Sequence, residues 1–458
     1  MKKWTGIFLT LAILILVSYY IMGRIVESTL NKNIKALPKT PMLTLKLNKY
    51  DRGWFSSQAA LTLIMHLPEQ RSANSSGQAQ LTPPLDMDLS FPLIINHGPI
   101  IMTEAGIRFG MGHVTTQPET HYNVLVDYSN HTRMRYTFPS LEINTRMGPE
   151  NLHFEFKGIT ATLGLSPTVD SVVGKIAVHG LNGLVKNVVF NMSEIVNNFN
   201  VSRREGWLWI GRNHLTIPSI EFSEGNHQFV LEALDFSLAT DITNDLLNAD
   251  YNMSLQKLTV ENKTWGPGVI KLQVKNLDPA AMARVNQASW NLVQNTAHRE
   301  LFAITLISEY SNLMSKGAEL NLSELNLTFP EGKITGNLTL SLPKGDAGGN
   351  PEKMMQKAVG NGQFRASIAV IKSLMVEAIQ RNLERQQAQI VAQEPNAASV
   401  AQVSVDPVNT HDQAVAQTDQ ILQEYINKGI LKIDGSDYVM IIKLENQQLM
   451  INGQVVGP

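Results

Sequence analysis

The chain has 458 residues, of which 43% are hydrophobic and 17% charged; that is enough apolar material for a folded core and excludes wholesale disorder. A formal charge of -2, with no basic cluster outside the N-terminal region, argues against a nucleic-acid partner, since phosphate recognition needs a concentrated positive field. The absence of cysteine excludes disulfides, thiolate metal sites, iron–sulfur clusters and cysteine nucleophiles, and leaves the compartment open.

The first element is an apolar run over residues 6–22, behind Lys2, Lys3 and Trp4. At about 1.5 Å per residue, some 17 to 20 helical residues cross roughly 26–30 Å, close to a bilayer core. Trp4, Tyr19 and Tyr20 stand where aromatic belts stand. A cleaved signal would end in small residues, whereas this run ends Tyr19-Tyr20-Ile21-Met22, so residues 1–24 are expected to be an uncleaved signal-anchor contacting inner-membrane lipid through 6–22. Lys2 and Lys3 favour a cytoplasmic N-terminus, and Arg24, Lys32, Lys35 and Lys39 pull the other way; N-in is preferred because long domains translocate largely regardless of charge. Residues 25–42 form a linker or helix extension, ended by Pro38 and Pro41.

From residue 43 the period changes to two. Leu43, Leu45 and Leu47 alternate with polar residues, as do Leu61, Leu63, Met65 and Leu67, with a turn at Asp51-Arg52-Gly53 between them. Residues 70–87 are rich in Ser, Asn, Gly and Pro and are expected to be a loop. Alternation recurs through 277, so 43–277 is assigned as a β-rich region. Asp278-Pro279 has the form of a helix cap with proline at the first helical position, opening a helical insertion over 278–317. A hairpin is expected over 318–345, a helical segment over 346–393 with its helix at about 363–390, a flexible linker over 394–414, and a short helix with a closing hairpin over 415–458. Strands grouped without regular β-α alternation predict an α+β fold: predominantly antiparallel sheet, an elongated curved sheet or sandwich, with a few helices packed on it after the N-terminal transmembrane helix.

Chemistry-bearing patterns are sparse. The eleven histidines show no His-Glu-x-x-His spacing, and no Walker loop or Gly-x-Ser-x-Gly elbow occurs. No catalytic residue, metal or cofactor is therefore assigned, and the chain is not expected to be an enzyme. Two short constellations stand out. In Tyr50-Asp51-Arg52-Gly53-Trp54-Phe55-Ser56-Ser57, Gly53 permits a turn, the aromatics pin it, and Arg52 is free to meet a lipid phosphate, a carboxylate or an aromatic face. In Asn96-His97-Gly98-Pro99, Gly98-Pro99 is a rigid turn, and a turn-stabilising hydrogen bond is the expected task of His97.

Behind an anchor, these constellations resemble the YdgA-like family of bacterial envelope proteins of unknown function. Tyr50, Arg52, Gly53, Phe55, Ser56 and Ser57 match its Tyr-x-x-Gly-x-Phe-Ser-Ser-type motif; His97, Gly98 and Pro99 match its His-Gly-Pro turn; Asn452-Gly453-Gln454 matches its closing hairpin. The resemblance implies a bacterial inner-membrane protein with its C-terminal domain in the periplasm, and transfers no catalytic role. The expected function is a membrane-anchored periplasmic β-scaffold binding a lipid or other amphiphile in envelope maintenance. The alternatives are a non-enzymatic assembly factor that docks an envelope protein partner and, behind it, an envelope hydrolase.

Overall fold

A computed structural model describes residues 2–36, 43–67, 70–73, 79–82, 85–103, 106–116, 122–147, 150–185, 188–225, 227–294, 309–345, 357–393 and 407–456. It is mostly antiparallel sheet with helices, and it divides into two compact units. Residues 1–215 and 280–309 form the first, and 216–279 and 310–458 the second.

The first unit opens with helix α1, Lys2–Ala36, 35 residues without a break. By length and composition it holds a segment, Ile13–Lys35, able to cross a membrane. Gly23, inside that segment, does not end the helix, because no left-handed turn is imposed there. Its missing side chain has another use: a Cβ would lie 2.7 Å from the ring of His97. The exposure of α1 changes along its length. Residues 13–17 are all more than two-fifths exposed, whereas Val26 is fully buried and Thr29 and Asn33 nearly so.

The sheet under α1 follows the period-two pattern. Leu43–Arg52 pairs with Ser56–Leu67 (Leu47 opposite Leu61), and Leu85–His97 adds to the second strand with Ser57 opposite Ile95. Gly112–Thr116, Tyr122–Val126, Thr132–Phe138, Ile159–Leu165, Ser171–Val178 and Ile195–Arg203 follow in order, each antiparallel to its neighbour. Cross-strand partners share a face. The registers therefore line up Ile95, Val114, Val124, Met134 and Leu163 on one face, and Asn96, His113, Leu125, Arg133 and Gly164 on the other. The first row belongs to the core that receives Val26 of α1 together with Ala59, Leu93 and Val126. A nested set of strands, Leu141–Met147, Glu150–Phe156, Leu181–Val185 and Val188–Met192, pairs within itself. Helix α2, Pro279–Gln294, begins at the predicted proline and contributes buried Ala281 and Ala288.

The second unit is an antiparallel meander. His227–Thr243 and Leu246–Val260 form a long hairpin, followed by Gly268–Leu277, Glu319–Phe329, Gly332–Ser341, Val359–Ser367 and Asp437–Glu445. Helices α3, Ile368–Gln393, and α4, Pro407–Asn427, contribute buried Val370, Ala414 and Leu422. Lys372 reaches Asp419 across the pair at 2.7 Å.

Three expectations need correction. The helix placed at 363–390 starts at Ile368, since Val359–Ser367 is a strand held on both sides, by Ile334 opposite Ala366 and by Tyr438 opposite the same residue. Gly360 and Gly362 fit that strand because a Cβ on either would meet a neighbouring carbonyl within 3 Å. Of the linker drawn over 394–414, residues 394–406 lie outside the described residues and 407–414 are helical, because α4 begins at Pro407, a proline at a first helical position. The loop at 70–87 contains the paired strands Gln70–Ala73 and Ala79–Thr82, and its last residues open the strand Leu85–His97.

Candidate amphiphile-binding site

The two sequence constellations meet at α1. Arg52 ends one strand and Ser57 lies opposite it on the next, so the turn between them presents Trp54 and Phe55. Gly53 is required there by close approach, since a Cβ would sit 2.3 Å from the Ser56 carbonyl. Arg52 donates to Glu27 at 2.9 Å and lies 5.1 Å from the centre of the Tyr20 ring. Trp54 Nε1 donates to the Leu16 carbonyl at 3.2 Å, and Phe55 meets Tyr19 edge-on with ring centres 5.1 Å apart. Gly98, at φ 135, passes so close to the Tyr19 ring that a Cβ would lie 2.0 Å from it. The neighbouring Pro99 carbonyl accepts from Tyr128, and Tyr19 itself donates to Ile100 at 2.7 Å. Ser56 is exposed and pairs with Asn96 in the ladder, while Tyr50 packs into the core below α1. The motif residues therefore form a collar around residues 16–27 of the helix.

At the centre of the collar Ser57 and His97 are each 1% exposed. His97 Nδ1 lies 3.2 Å from the Tyr19 carbonyl and Nε2 3.0 Å from Ser57 Oγ. A carbonyl only accepts, so Nδ1 carries the proton and Ser57 donates to Nε2. Burial pushes the imidazole pKa below its ordinary value; the bond to Tyr19 opposes this and the Arg52 charge adds to it. Burial likewise raises the Tyr50 phenol, whose hydroxyl is enclosed near Ser57 without a hydrogen bond of ordinary geometry. A hydroxyl beside a neutral imidazole has the composition of a nucleophile and base. Here the pair is sealed beneath α1, each member 1% exposed, and lines neither the cavity beside that helix nor the trough on the other face of the sheet. Its geometry holds the helix on the sheet.

Further along α1 the packing opens into a cavity of about 510 Å³. Leu30, Asn33 and Ile34 of α1 form one wall, and Leu45, Leu47, Leu61, Val124, Met134 and Leu163 of the strands the floor. Trp209 and Arg203 also line it, and the Arg203 guanidinium lies 6.0 Å from the Trp209 ring centre. Two polar atoms interrupt the apolar lining. Asn33 Oδ1 and Thr132 Oγ1 are buried and have no hydrogen-bond partner. Leaving such groups bare costs about 1–3 kcal/mol each, so the cavity is apolar in bulk and carries two unmet polar demands.

Two further groups complete the picture, one within the Asn452-Gly453-Gln454 match and one that the sequence reading missed. Asn452 at the closing hairpin, at φ 52, accepts from the Ile441 amide at 3.0 Å and donates to the Gly429 and Ile430 carbonyls at 3.1 and 2.9 Å. The expectation of no basic cluster outside the N-terminal region is also corrected. Arg108, Arg133, Arg135, Lys175 and Arg212 line one trough on the face of the first unit's sheet away from α1. They come from four separate strands, so no linear run announces them. Among the described residues no group of three His, Asp or Glu side chains is placed to hold a metal ion.

No curated protein and no solved structure matches the chain. The model of one family, described as a bacterial protein of unknown function (DUF945), matches residues 1–458, and the chain belongs to that bacterial family.

Proposed function

We propose that this chain is a membrane-anchored periplasmic scaffold that holds one acyl-bearing amphiphile in the cavity beside α1. Within its family we read it as YdgA-like, on the order of anchor, Tyr50–Ser57 motif and His97–Pro99 turn. The observation that carries the reading is a cavity of about 510 Å³ whose apolar lining includes the unpartnered Asn33 Oδ1 and Thr132 Oγ1. Its volume falls within the roughly 300–1,000 Å³ of small-molecule sites. A chain with a hydroxyl or amide near its head satisfies both demands, at about 0.8 kcal/mol for each methylene removed from water.

The anchor reading rests on where exposed apolar residues gather. Trp54 and Phe55 flank Tyr19 and Tyr20, and beside them the hairpin of Ile100–Thr103 and Gly106–Phe109 exposes Ile100, Met102, Ile107 and Phe109. In water this patch is a liability; at a bilayer interface it is an aromatic and aliphatic seat. Lys2 to Tyr20 then spans about 27 Å of helix, close to a hydrocarbon core. Leu16, Tyr19 and Tyr20 are held by Trp54, His97 and Phe55, so cleavage after the apolar run would cut away helix that the collar grips. This favours retention of the segment.

The test is native mass spectrometry of full-length protein taken from the membrane fraction in mild detergent. About one acyl lipid per chain is expected, and it should be lost in the double variant Leu45→Trp, Leu163→Trp, which fills the cavity. Recovery of the protein in the soluble fraction would sink the anchor, and a lipid-free membrane preparation would sink the amphiphile.

A further inference from the structure

On the opposite face of the same sheet, Arg108, Arg133, Arg135, Lys175 and Arg212 are all exposed, line a trough of about 850 Å³, and share it with no Asp or Glu among the described residues. None makes an ion pair with another described residue. Elsewhere several cations are matched: Lys257 with Glu232, Lys271 with Glu324, Arg365 with Asp434 and Asp437. Five positive charges without an acidic partner among the described residues, on a chain of formal charge -2, are a local field, and a concave wall concentrates it.

A second observation is independent of charge. His113 lines the trough, is 1% exposed, and neither ring nitrogen makes a hydrogen bond of ordinary geometry, with only a looser approach from the Asn123 side chain. A buried imidazole with two unmet nitrogens is rare in a finished structure and marks a place where a polar group is received.

We propose that this trough binds a small ligand carrying two or more phosphate groups. Arg133 and Arg135 project from one strand about 7 Å apart, and Lys175 stands about 10 Å across from Arg135, with Thr162 between them in the ladder. Guanidinium forks on that grid suit oxyanions several ångströms apart. Gly164 keeps the floor open beside Arg133; a Cβ there would touch nothing nearer than 3.8 Å. Phe199 is the single Phe, Trp or Tyr among the described lining residues, not the series of rings on which successive bases stack, which favours a small oligophosphate over a nucleic acid. The proposal stands on the face away from α1 and does not depend on the cavity.

The experiment is calorimetric titration of inositol hexakisphosphate into full-length protein held in phosphatidylcholine nanodiscs. Saturable binding is expected, weakened steeply by salt and by at least about thirty-fold in the triple variant R133Q/R135Q/K175Q. The control K257Q/K271Q/K428Q changes net charge equally at exposed sites and should bind like the parent. The single variant R135Q, expected to lose several-fold, serves if the triple variant does not fold. Nanodiscs containing phosphatidic acid separate the natural sources. Competition there assigns the phosphates to lipid headgroups, and its absence assigns them to a soluble ligand. No binding by the parent, equal loss in trough and control variants, or tighter binding of a 20-nucleotide single strand than of the inositol phosphate would each overturn the proposal.

Discussion

His97 and His113 sit on neighbouring strands and on opposite faces of one sheet, and they have opposite fates. Both are 1% exposed. His97 faces α1 and finds a carbonyl for one nitrogen and a hydroxyl for the other. His113 faces the trough and finds no hydrogen bond of ordinary geometry for either, only a looser approach from Asn123. The contrast separates two kinds of buried polar group. One is a finished part of the packing. The other is a demand the chain itself does not meet, which is why it is evidence about a ligand and His97 is not.

The comparison can be broken most forcefully on the α1 face. Val26→Asp places an unpaired carboxylate where Val26 is fully buried, and should cost about 3–5 kcal/mol. Hydrogen exchange of the amides in Ser56–Leu67 reads the loss; retained protection would show that α1 does not seal this face. The two histidines supply a pair of intermediate size. His97→Ala removes two hydrogen bonds and opens a void, for a loss of about 2–3 kcal/mol. His113→Leu removes two unmet nitrogens and should leave the ligand-free protein within about 1 kcal/mol of the parent, or more stable. Equal losses at the two sites would erase the distinction. The smallest effect is in pH. Burial depresses the pKa of both imidazoles, with Arg108 assisting and Asn123 opposing at His113, so below pH 6.5 the unfolded chain binds protons that the folded chain refuses. Stability should then fall as pH drops from 6.5 toward the folded values, by at most about 1.4 kcal/mol per unit for each ring. His113→Leu should flatten that slope by about half, and an unchanged slope would show that His113 already takes up its proton in the folded state.

Local pattern carried most of the fold and little of the site. Period-two leucines located the hairpin of Leu43–Arg52 and Ser56–Leu67, and Asp278-Pro279 located α2. The same signal at Asp406-Pro407 is obscured by its setting, since the polar, alanine-rich stretch around it reads as linker. The strand state of Val359–Ser367 is not legible locally because it comes from partners on both sides, which no local window contains. The motif residues were visible as a set through resemblance, but their common target was not. That Arg52, Trp54, Phe55, His97 and Gly98 all close on α1 requires the three-dimensional turn of two hairpins. The trough was illegible for the same reason, since its charges are spread singly along the chain and only the ladder gathers them.

The unbroken course of α1 has one more consequence on the anchored reading. A domain hung from a loose tether wanders, whereas one gripping its own transmembrane rod keeps a fixed height and heading. Leu30 and Ile34, in the cavity wall, lie 10 and 14 residues past Tyr20, or about 15–21 Å along the helix. A molecule lodged there would be lifted clear of its leaflet yet stay within one acyl-chain length of it, so loading and unloading would happen at a constant elevation over the same small patch of bilayer.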